Sequence, residues 1–413
     1  MKTILLLFIL IALQLNAQFT IYTPENSELP SHNISNIIVD FDNVLWLGSG
    51  ENLVKFEDNK FTIYNSSNSE LPTEAIIDMY LDSKGVLWIL YTNYIYKKQN
   101  TKIEFVKSID YGKKIAVDRN GDVIFGSNMS LLKLNSDLIV DTLFKSEMLD
   151  HKPVSEIIID NSNTIWFVRG FEDGIRKVFK DSTFYYGREN TEFQFSFISH
   201  IALDSSNNIW LGGNRQLFKY NQAEDEWTDI IKEYSEILDE TWAYSSIAFN
   251  QYNTPFITSR NAIRTHSKTL FLYKLKENSL TSFQLDSFFI DDEFKPKILF
   301  PMAIDLNDSV WIRISDVGLL KFDPSISSVN LLQNSKYTIF PNPIINTVNI
   351  DFENEVLITN YKVSNVMGKT VLVGELIPSS SIKIDVEKLP VGMYIIELYE
   401  TSNIVVFDKF VKE

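Results

Sequence analysis

Phe19-Thr20-Ile21-Tyr22 is followed by Ser27-Glu28-Leu29-Pro30, and Phe61-Thr62-Ile63-Tyr64 is followed by Ser69-Glu70-Leu71-Pro72. The offset is 42 residues, and Trp46 and Trp88 keep it. Repetition at this period marks an array of small β units. The core of the unit is an Asp, a short turn, then an apolar run opening on an aromatic: Asp40-Phe41-Asp42-Asn43-Val44-Leu45-Trp46 in the first copy. Seven copies follow one another, led by Asp40, Asp82, Asp118, Asp160, Asp204, Asn250 and Asp305, at spacings of 42, 36, 42, 44, 46 and 55. Trp46, Trp88, Trp166, Trp210 and Trp311 fill the aromatic slot, with Ile124 and Phe256 in the third and sixth copies, so five of the seven Trp residues stand in one slot.

Each copy reads as four short strands. An alternating stretch such as Ile37-Ile38-Val39 precedes the Asp, and a turn of Asn, Asp, Ser and Gly follows it. The aromatic strand comes next, then a strand such as Leu217-Phe218-Lys219-Tyr220, then a more polar closing strand such as Phe61 to Tyr64. Four antiparallel strands in about 40 residues make a propeller blade. One blade cannot bury both faces of its sheet, whereas a closed ring of blades can. The fold expected is therefore all-β, a seven-bladed β-propeller over 18–334, with blade cores near 34–48, 76–90, 114–126, 156–168, 200–212, 246–258 and 301–313. The indole has the size and shape to fill the gap between neighbouring blades; the alternative is a circle of stacking platforms for sugars. Phe19–Tyr22 precedes the first copy and matches its closing strand, so it and Ser328–Leu332 are rival candidates for the strand that fastens the ring. Between Glu224 and Tyr244, Ile230, Ile231, Tyr234, Ile237 and Leu238 recur at helical spacing and suggest a helical insertion between blades.

The pattern of apolar strand, Asp, turn and Leu/Ile-Trp-Leu/Ile-Gly resembles the two-component-regulator propeller repeat, over roughly Gln18 to Asn334. The resemblance implies a sensor or binding propeller, often extracellular and often in glycan-related systems. Copies three and six depart from it in lacking Trp. No kinase or DNA-binding module follows, so a signalling role does not carry over.

Met1-Lys2, the apolar run Ile4 to Leu13 and Leu15-Asn16-Ala17 before Gln18 read as a signal peptide over 1–17, cleaved between Ala17 and Gln18. The run is shorter than the roughly 20 residues a membrane helix needs, and no transmembrane segment is expected elsewhere. No Cys occurs in the 413 residues, so disulfides cannot hold this exported chain together and no lipid anchor follows the leader. The net charge of −16 argues against nucleic acid and against anionic lipid.

The rhythm stops at Phe340-Pro341-Asn342-Pro343. About seven short strands follow in fewer than 80 residues, which predicts a small Ig-like β-sandwich over 335–413. The motif residues Pro341, Asn342 and Pro343, Gly368 in Val366-Met367-Gly368-Lys369, Gly392 and Tyr394 in Leu389-Pro390-Val391-Gly392-Met393-Tyr394, and Lys409, Phe410 and Lys412 resemble the type A C-terminal sorting domain of the type IX secretion system. This implies recognition by the type IX translocon, passage across the outer membrane through the periplasm, and a secreted or surface-attached product.

No catalytic residue is assigned. His32, His151, His200 and His266 form no zinc spacing, and no nucleophile elbow, P-loop or dinucleotide fingerprint is present. His200 reads as a structural histidine. Asp118, Asn120 and Asp122 alternate like calcium ligands but lack the closing Glu of a 12-residue loop, so no cofactor is expected, with calcium there as the alternative. Asp141-Thr142-Leu143, Asp181-Ser182-Thr183 and Asp308-Ser309-Val310 look like short bacterial O-glycosylation sites. The function expected is a non-enzymatic binding module for a glycan, peptide or surface protein. The alternatives are a polysaccharide lyase or hydrolase on the same scaffold, or a structural part of the surface or secretion machinery.

Overall fold

The computed structural model describes residues 19–412 apart from 147–151, 171–173, 180–181, 188, 190, 192–196, 236–237, 239–241, 262–269, 277–278, 286–298, 325–336, 342, 353–357, 366–369 and 401–402. The leader, its cleavage point at Ala17 and Gln18, and Ser328–Leu332 lie outside the described residues. The chain divides into two compact units, one spanning Phe19–Phe322 and the other carrying Asp323–Glu413.

The first unit is seven four-stranded antiparallel sheets, six of them in sequence order from the inside outward. The innermost strands are Ile34–Val39, Asp78–Leu81, Lys114–Val117, Val154–Ile159, Ile198–Leu203, Trp242–Phe249 and Leu299–Ile304. Each packs against the next, and the seventh packs against the first, so the blades close into a ring around one axis. Among the described residues blade seven contributes Leu299–Ile304, Val310–Ile314 and Gly318–Phe322 in sequence; its fourth strand is Phe19–Tyr22, paired antiparallel with Phe322 to Leu319. The N-terminal strand thus fastens the ring.

The leading Asp of each copy is a hydrogen-bond hub. In blade four, Asp160 Oδ1 accepts from the backbone N–H groups of Ser162 and Thr164, each at 2.9 Å, and Oδ2 accepts from the Trp166 indole at 3.1 Å. The same indole bond joins Asp40 to Trp46, Asp82 to Trp88, Asp204 to Trp210 and Asp305 to Trp311 at 2.8 to 3.1 Å. The residue three after the hub sits in the left-handed region, with φ from 61° to 93° at Asn43, Gly85, Gly121, Asn163, Asn207, Asn253 and Asp308. Only Gly, Asn and Asp visit that region readily, which is why the turns are written in those residues.

Copy six explains its own departure. Phe256 has no N–H to satisfy, and Asn250 has only one acceptor oxygen. That oxygen takes the Tyr252 and Thr254 N–H groups, and the amide nitrogen donates to Asp308 Oδ1 of the next blade at 3.1 Å. In copy three, where Ile124 has no N–H either, the Asp stays, and Asp118 Oδ2 accepts instead from Asn163 Nδ2 of the next blade at 3.4 Å, with Lys133 Nζ at 3.9 Å.

The slot residues face the following blade. Trp46 packs with Leu71, Ile76 and Met79, Trp166 with Ile198 and Ile201, Trp210 with Tyr244 and Ile247, and Trp311 with Ile37 and Leu47 of blade one. Ile124 and Phe256 occupy the same place against blades four and seven. Trp46, Trp166, Trp210 and Trp311 are buried and Trp88 is half-buried, so the indoles fill joints and offer no flat face to a sugar.

A second set of bonds staples the turns to one another. The residue three after the hub reaches back to the preceding blade: Asn163 Oδ1 accepts from Arg119 N, Asn207 from Asn161 N, Asn253 from Ser205 N, and Asn43 from Leu306 N, at 2.7 to 2.9 Å. The last bond crosses from blade one to blade seven, 263 residues apart, and locks the seam. Gly85 and Gly121 carry no side chain for this purpose. Asn43→Gly keeps the left-handed turn and removes the staple, so it is expected to lower stability by about 0.5–1.5 kcal/mol in urea unfolding. No change would mean the seam rests on Phe19–Tyr22 alone.

The segment read as a helical insertion is mostly something else. Glu226–Asp229 is the outer strand of blade five, and among the described residues of the segment only Ile230–Glu233 is helical, a single turn capped by the Asp229 side chain. Ile230, Ile231 and Leu238 are buried beneath blades five and six, with Tyr234 packed against them. Apolar residues at helical spacing there cover a sheet end, which takes one turn; Ile237 lies outside the described residues.

The second unit stacks two sheets. One orders Tyr337–Phe340, Thr347–Phe352 and Ser381–Asp385; the other orders Thr370–Glu375, Asn360–Asn365, Gly392–Glu400 and Asn403–Lys412. Val348, Ile350, Ile382 and Ile384 alternate inward from the first sheet to meet Val363, Ile396, Leu398 and Phe410 of the second. Among the described residues of the whole chain, no helix is long and apolar enough to cross a membrane.

Candidate functional site

Four residues before each hub, on the innermost strand, stand Asn36, Asp78, Lys114, Glu156, His200, Ser246 and Pro301. In four blades a serine precedes this position, and the strand pairing slips there: the register shifts between Ile34 and Asn36, Val154 and Glu156, Ile198 and His200, and Tyr244 and Ser246. The extra residue is a β-bulge, which re-aims the side chain after it. Ser35, Ser155 and Ser199 hold the bulge by donating to the carbonyls of Gly48, Val168 and Gly212 at 3.3 Å.

The side chains after the bulges form an arc around the axis. Asn36 Nδ2 donates to Asp78 Oδ1 at 2.6 Å, and Asp78 Oδ2 accepts from the Ile115 N–H at 2.9 Å. Lys114 Nζ lies 3.5 Å from Asp78 Oδ1 and 3.4 Å from Glu156 Oε1. Glu156 Oε2 lies 3.9 Å from His200 Nδ1, and His200 Nε2 donates to the Ile247 carbonyl of blade six at 3.1 Å. Four consecutive blades are thus joined by one polar girdle, and His200 of the fifth stands at its end. The slots of blades six and seven, Ser246 and Pro301, carry no charge.

Burial opposes the charge on Lys114, but Asp78 and then Glu156 outweigh it and hold the ammonium's pKa above its ordinary value. Burial pushes the pKa of His200 down; Glu156 works against that and Lys114 with it. The girdle therefore holds a charged lysine between two carboxylates and a neutral imidazole at one end.

In this topology the connections that lead into an innermost strand share one face with those joining second and third strands. The hub turns occupy the opposite face. Glu156 and His200 lie near the start of their strands, so the girdle sits toward the mouth where the longer connections gather. Loops converging from several blades are where propellers present binding groups.

Sequence reasoning treated His200 alone as structural and passed over Asn36, Asp78, Lys114 and Glu156. The signal was available in their constant distance from the hub and, at Asn36 and Glu156, in the serine before them. The other candidates fall as follows. His32 bonds the Val317 carbonyl and Glu25; His151 and His266 lie outside the described residues. At Asp118, Oδ1 serves the Asn120 and Asp122 N–H groups as in every other hub, and Lys133 Nζ stands 2.5 Å from Asp122 Oδ2. Among the described residues no group of three or more His, Cys, Asp or Glu is placed to hold a metal. Thr142 and Ser182 are exposed on outer strands, whereas Ser309 is 3% exposed and donates its N–H to its hub, which puts it out of reach of a modifying enzyme in the folded chain.

In the tail, Tyr394 and Phe410 stack in the core at 5.6 Å, Tyr394 Oη donates to the Pro390 carbonyl at 2.7 Å, and Lys412 is buried with its backbone bridged to Ile344. Gly392 opens the strand that carries Tyr394, and Lys409 pairs with Ile395 along it. Pro341 and Pro343 are exposed; Asn342 and Gly368 lie outside the described residues. The motif is thus largely spelled by the packing of the sandwich and its final hairpin.

Residues 338–413 match the family described as the secretion system C-terminal sorting domain. No curated protein sequence matches the chain. Among solved structures, the extracellular domain of a protein described as a hybrid two-component system from B. thetaiotaomicron aligns with a TM-score of 0.60 at 16% identity, covering 96% of this chain and 57% of that one. PorZ, a surface component of the type IX secretion system of Porphyromonas gingivalis, aligns with a TM-score of 0.54 at 12% identity, over 93% of this chain and 60% of its own. Virginiamycin B lyase from Staphylococcus aureus aligns with a TM-score of 0.54 at 12% identity, over 73% of this chain and 98% of its own. The chain thus spans under two thirds of the first two structures. At these identities the likeness extends to the fold. The C-terminal 76 residues, 338–413, are a type IX secretion-system sorting domain, and the protein that carries them is a β-propeller sent to the cell surface or beyond.

Proposed function

We propose that the propeller is a non-enzymatic binding module, taking a glycan, peptide or surface protein at the mouth of its axial channel. The observation that supports this is the girdle. Asp78 is engaged with Asn36, Lys114 and a backbone N–H, and Glu156 with Lys114 through Oε1, so the arc acts as a fixed polar lining. A general acid or base needs a titratable group free to exchange its proton with substrate. One feature favours a lyase or hydrolase as the second reading: His200, held neutral, stands beside the carboxylate Glu156.

A glycan and peptide array probed with residues 18–334 separates the two, since this fragment keeps Phe19–Tyr22 to close the ring. Retention on a subset of spots, with no product released, is the expected result. Turnover of an arrayed polymer that His200→Ala abolishes would establish the enzyme instead.

A further inference from the structure

The girdle has more acceptors than donors. Neutral His200 commits its single N–H, at Nε2, to the Ile247 carbonyl, so Nδ1 is a lone pair. It faces Glu156 Oε2 at 3.9 Å, which also only accepts. Two acceptors confront each other with nothing donated between them. Lys114 serves the other oxygen of Glu156.

A second acceptor stands elsewhere in the arc. Asn36 must turn its amide nitrogen toward Asp78, because a carboxylate only accepts. Its Oδ1 is then an acceptor, buried and without a hydrogen-bond partner, in a side chain only 8% exposed. The adjoining slot is Pro301, which has no N–H to offer. Blade one lies three steps round the ring from blade five, so Asn36 belongs to the other end of the same arc. Two carboxylates against one ammonium leave the arc negative. Lys114, Glu156 and His200 expose 29%, 15% and 26% of their side chains, so each is partly open to solvent.

We infer that the girdle binds the primary ammonium of a peptide ligand, a lysine side chain or a free amino terminus, between Glu156 Oε2 and His200 Nδ1. An ammonium brings three donors and a positive charge, which is what this arc lacks. The inference rests on the reading that ligand enters at this mouth, and gives that ligand its chemistry. Protonation of His200 competes with it: an imidazolium would close on Glu156 and stand beside Lys114. Glu156 and Lys114 from the preceding blades and the Ile247 carbonyl from the next are the groups that face the imidazole. Binding therefore weakens as pH falls below the ordinary histidine range.

The test is calorimetry on the full chain after export, with three end-blocked or free probes. Acetyl-Gly-Gly-Lys-Gly-Gly-amide carries only a side-chain ammonium, its Nε-acetyl-lysine counterpart carries none, and pentaglycine amide carries only the terminal one. Binding by the first or third probe, and its loss by acetylation, identifies the ammonium and its source. Glu156→Gln is expected to weaken it about tenfold to a hundredfold, the worth of a charge-assisted bond. His200→Lys plants an ammonium in the notch while leaving Glu156 partnered, and is expected to abolish binding in a protein that still melts cooperatively. Glu57→Gln removes an exposed carboxylate and is expected to change nothing. Equal affinity for the acetylated probe, no binding of any probe, or equal losses with Glu57→Gln would overturn the inference. The array result stands apart: ligands found there that ignore both acetylation and His200→Lys would keep the binding module and discard the ammonium.

Discussion

Deletion of residues 337–413 is expected to leave the propeller fully folded and to stop its delivery across the outer membrane. The blades form their own compact unit, and the last of them draws its fourth strand from Phe19–Tyr22. Among the described residues, the strand pairing of the seven blades draws on no strand of the tail. The sorting domain carries the export information over 338–413. Cell fractionation should therefore find the truncated protein in the periplasm, with the melting temperature of the propeller transition in the full chain. Surface delivery of the truncation would defeat the sorting role. Loss of the melting transition would show instead that the two units fold as one.

Trp166→Ala is expected to lower stability by about 3–5 kcal/mol, the range for emptying a core aromatic site. Trp166 is 0% exposed and touches Ile198 and Ile201 of the next blade as well as Tyr186 and Tyr220. The truncation opens a cavity at a joint and also strips Asp160 Oδ2 of its donor in a nearly dry site. Blade six supplies a sharper version of the test. There Asn and Phe replace Asp and Trp together, so Asp160→Asn and Trp166→Phe should not add. Asp160→Asn alone points an amide N–H at the indole N–H, whereas with Phe in the slot that clash is gone. A double-mutant cycle in urea should give a favourable coupling of about 1 kcal/mol. Strict additivity would mean that the hub and the slot are independent and that copy six differs by chance.

The hub residues were legible in the chain because their partners are close in sequence. An Asp bonds N–H groups two and four residues on and an indole six residues on, and the turn between them accepts only Gly, Asn or Asp at its left-handed position. Such a motif prints itself at every copy. The helical insertion failed for the opposite reason. Ile230, Ile231 and Leu238 are apolar because of what blades five and six place over them, and periodicity within one segment does not reveal a cover.

By itself the sequence determined the repeat, the number of blades, the aromatic slot and the sorting tail, since each is a pattern written within a copy or a motif read in order. Only the tertiary structure decided that Phe19–Tyr22 completes blade seven, and that Asn36, Asp78, Lys114, Glu156 and His200 become neighbours. Those residues stand 36 to 44 positions apart, and each belongs to a different sheet. Closure of the ring brings them to one axis, and a bulge in an innermost strand turns several of them toward it. Proximity of that kind is a property of the circle, and no single blade contains it.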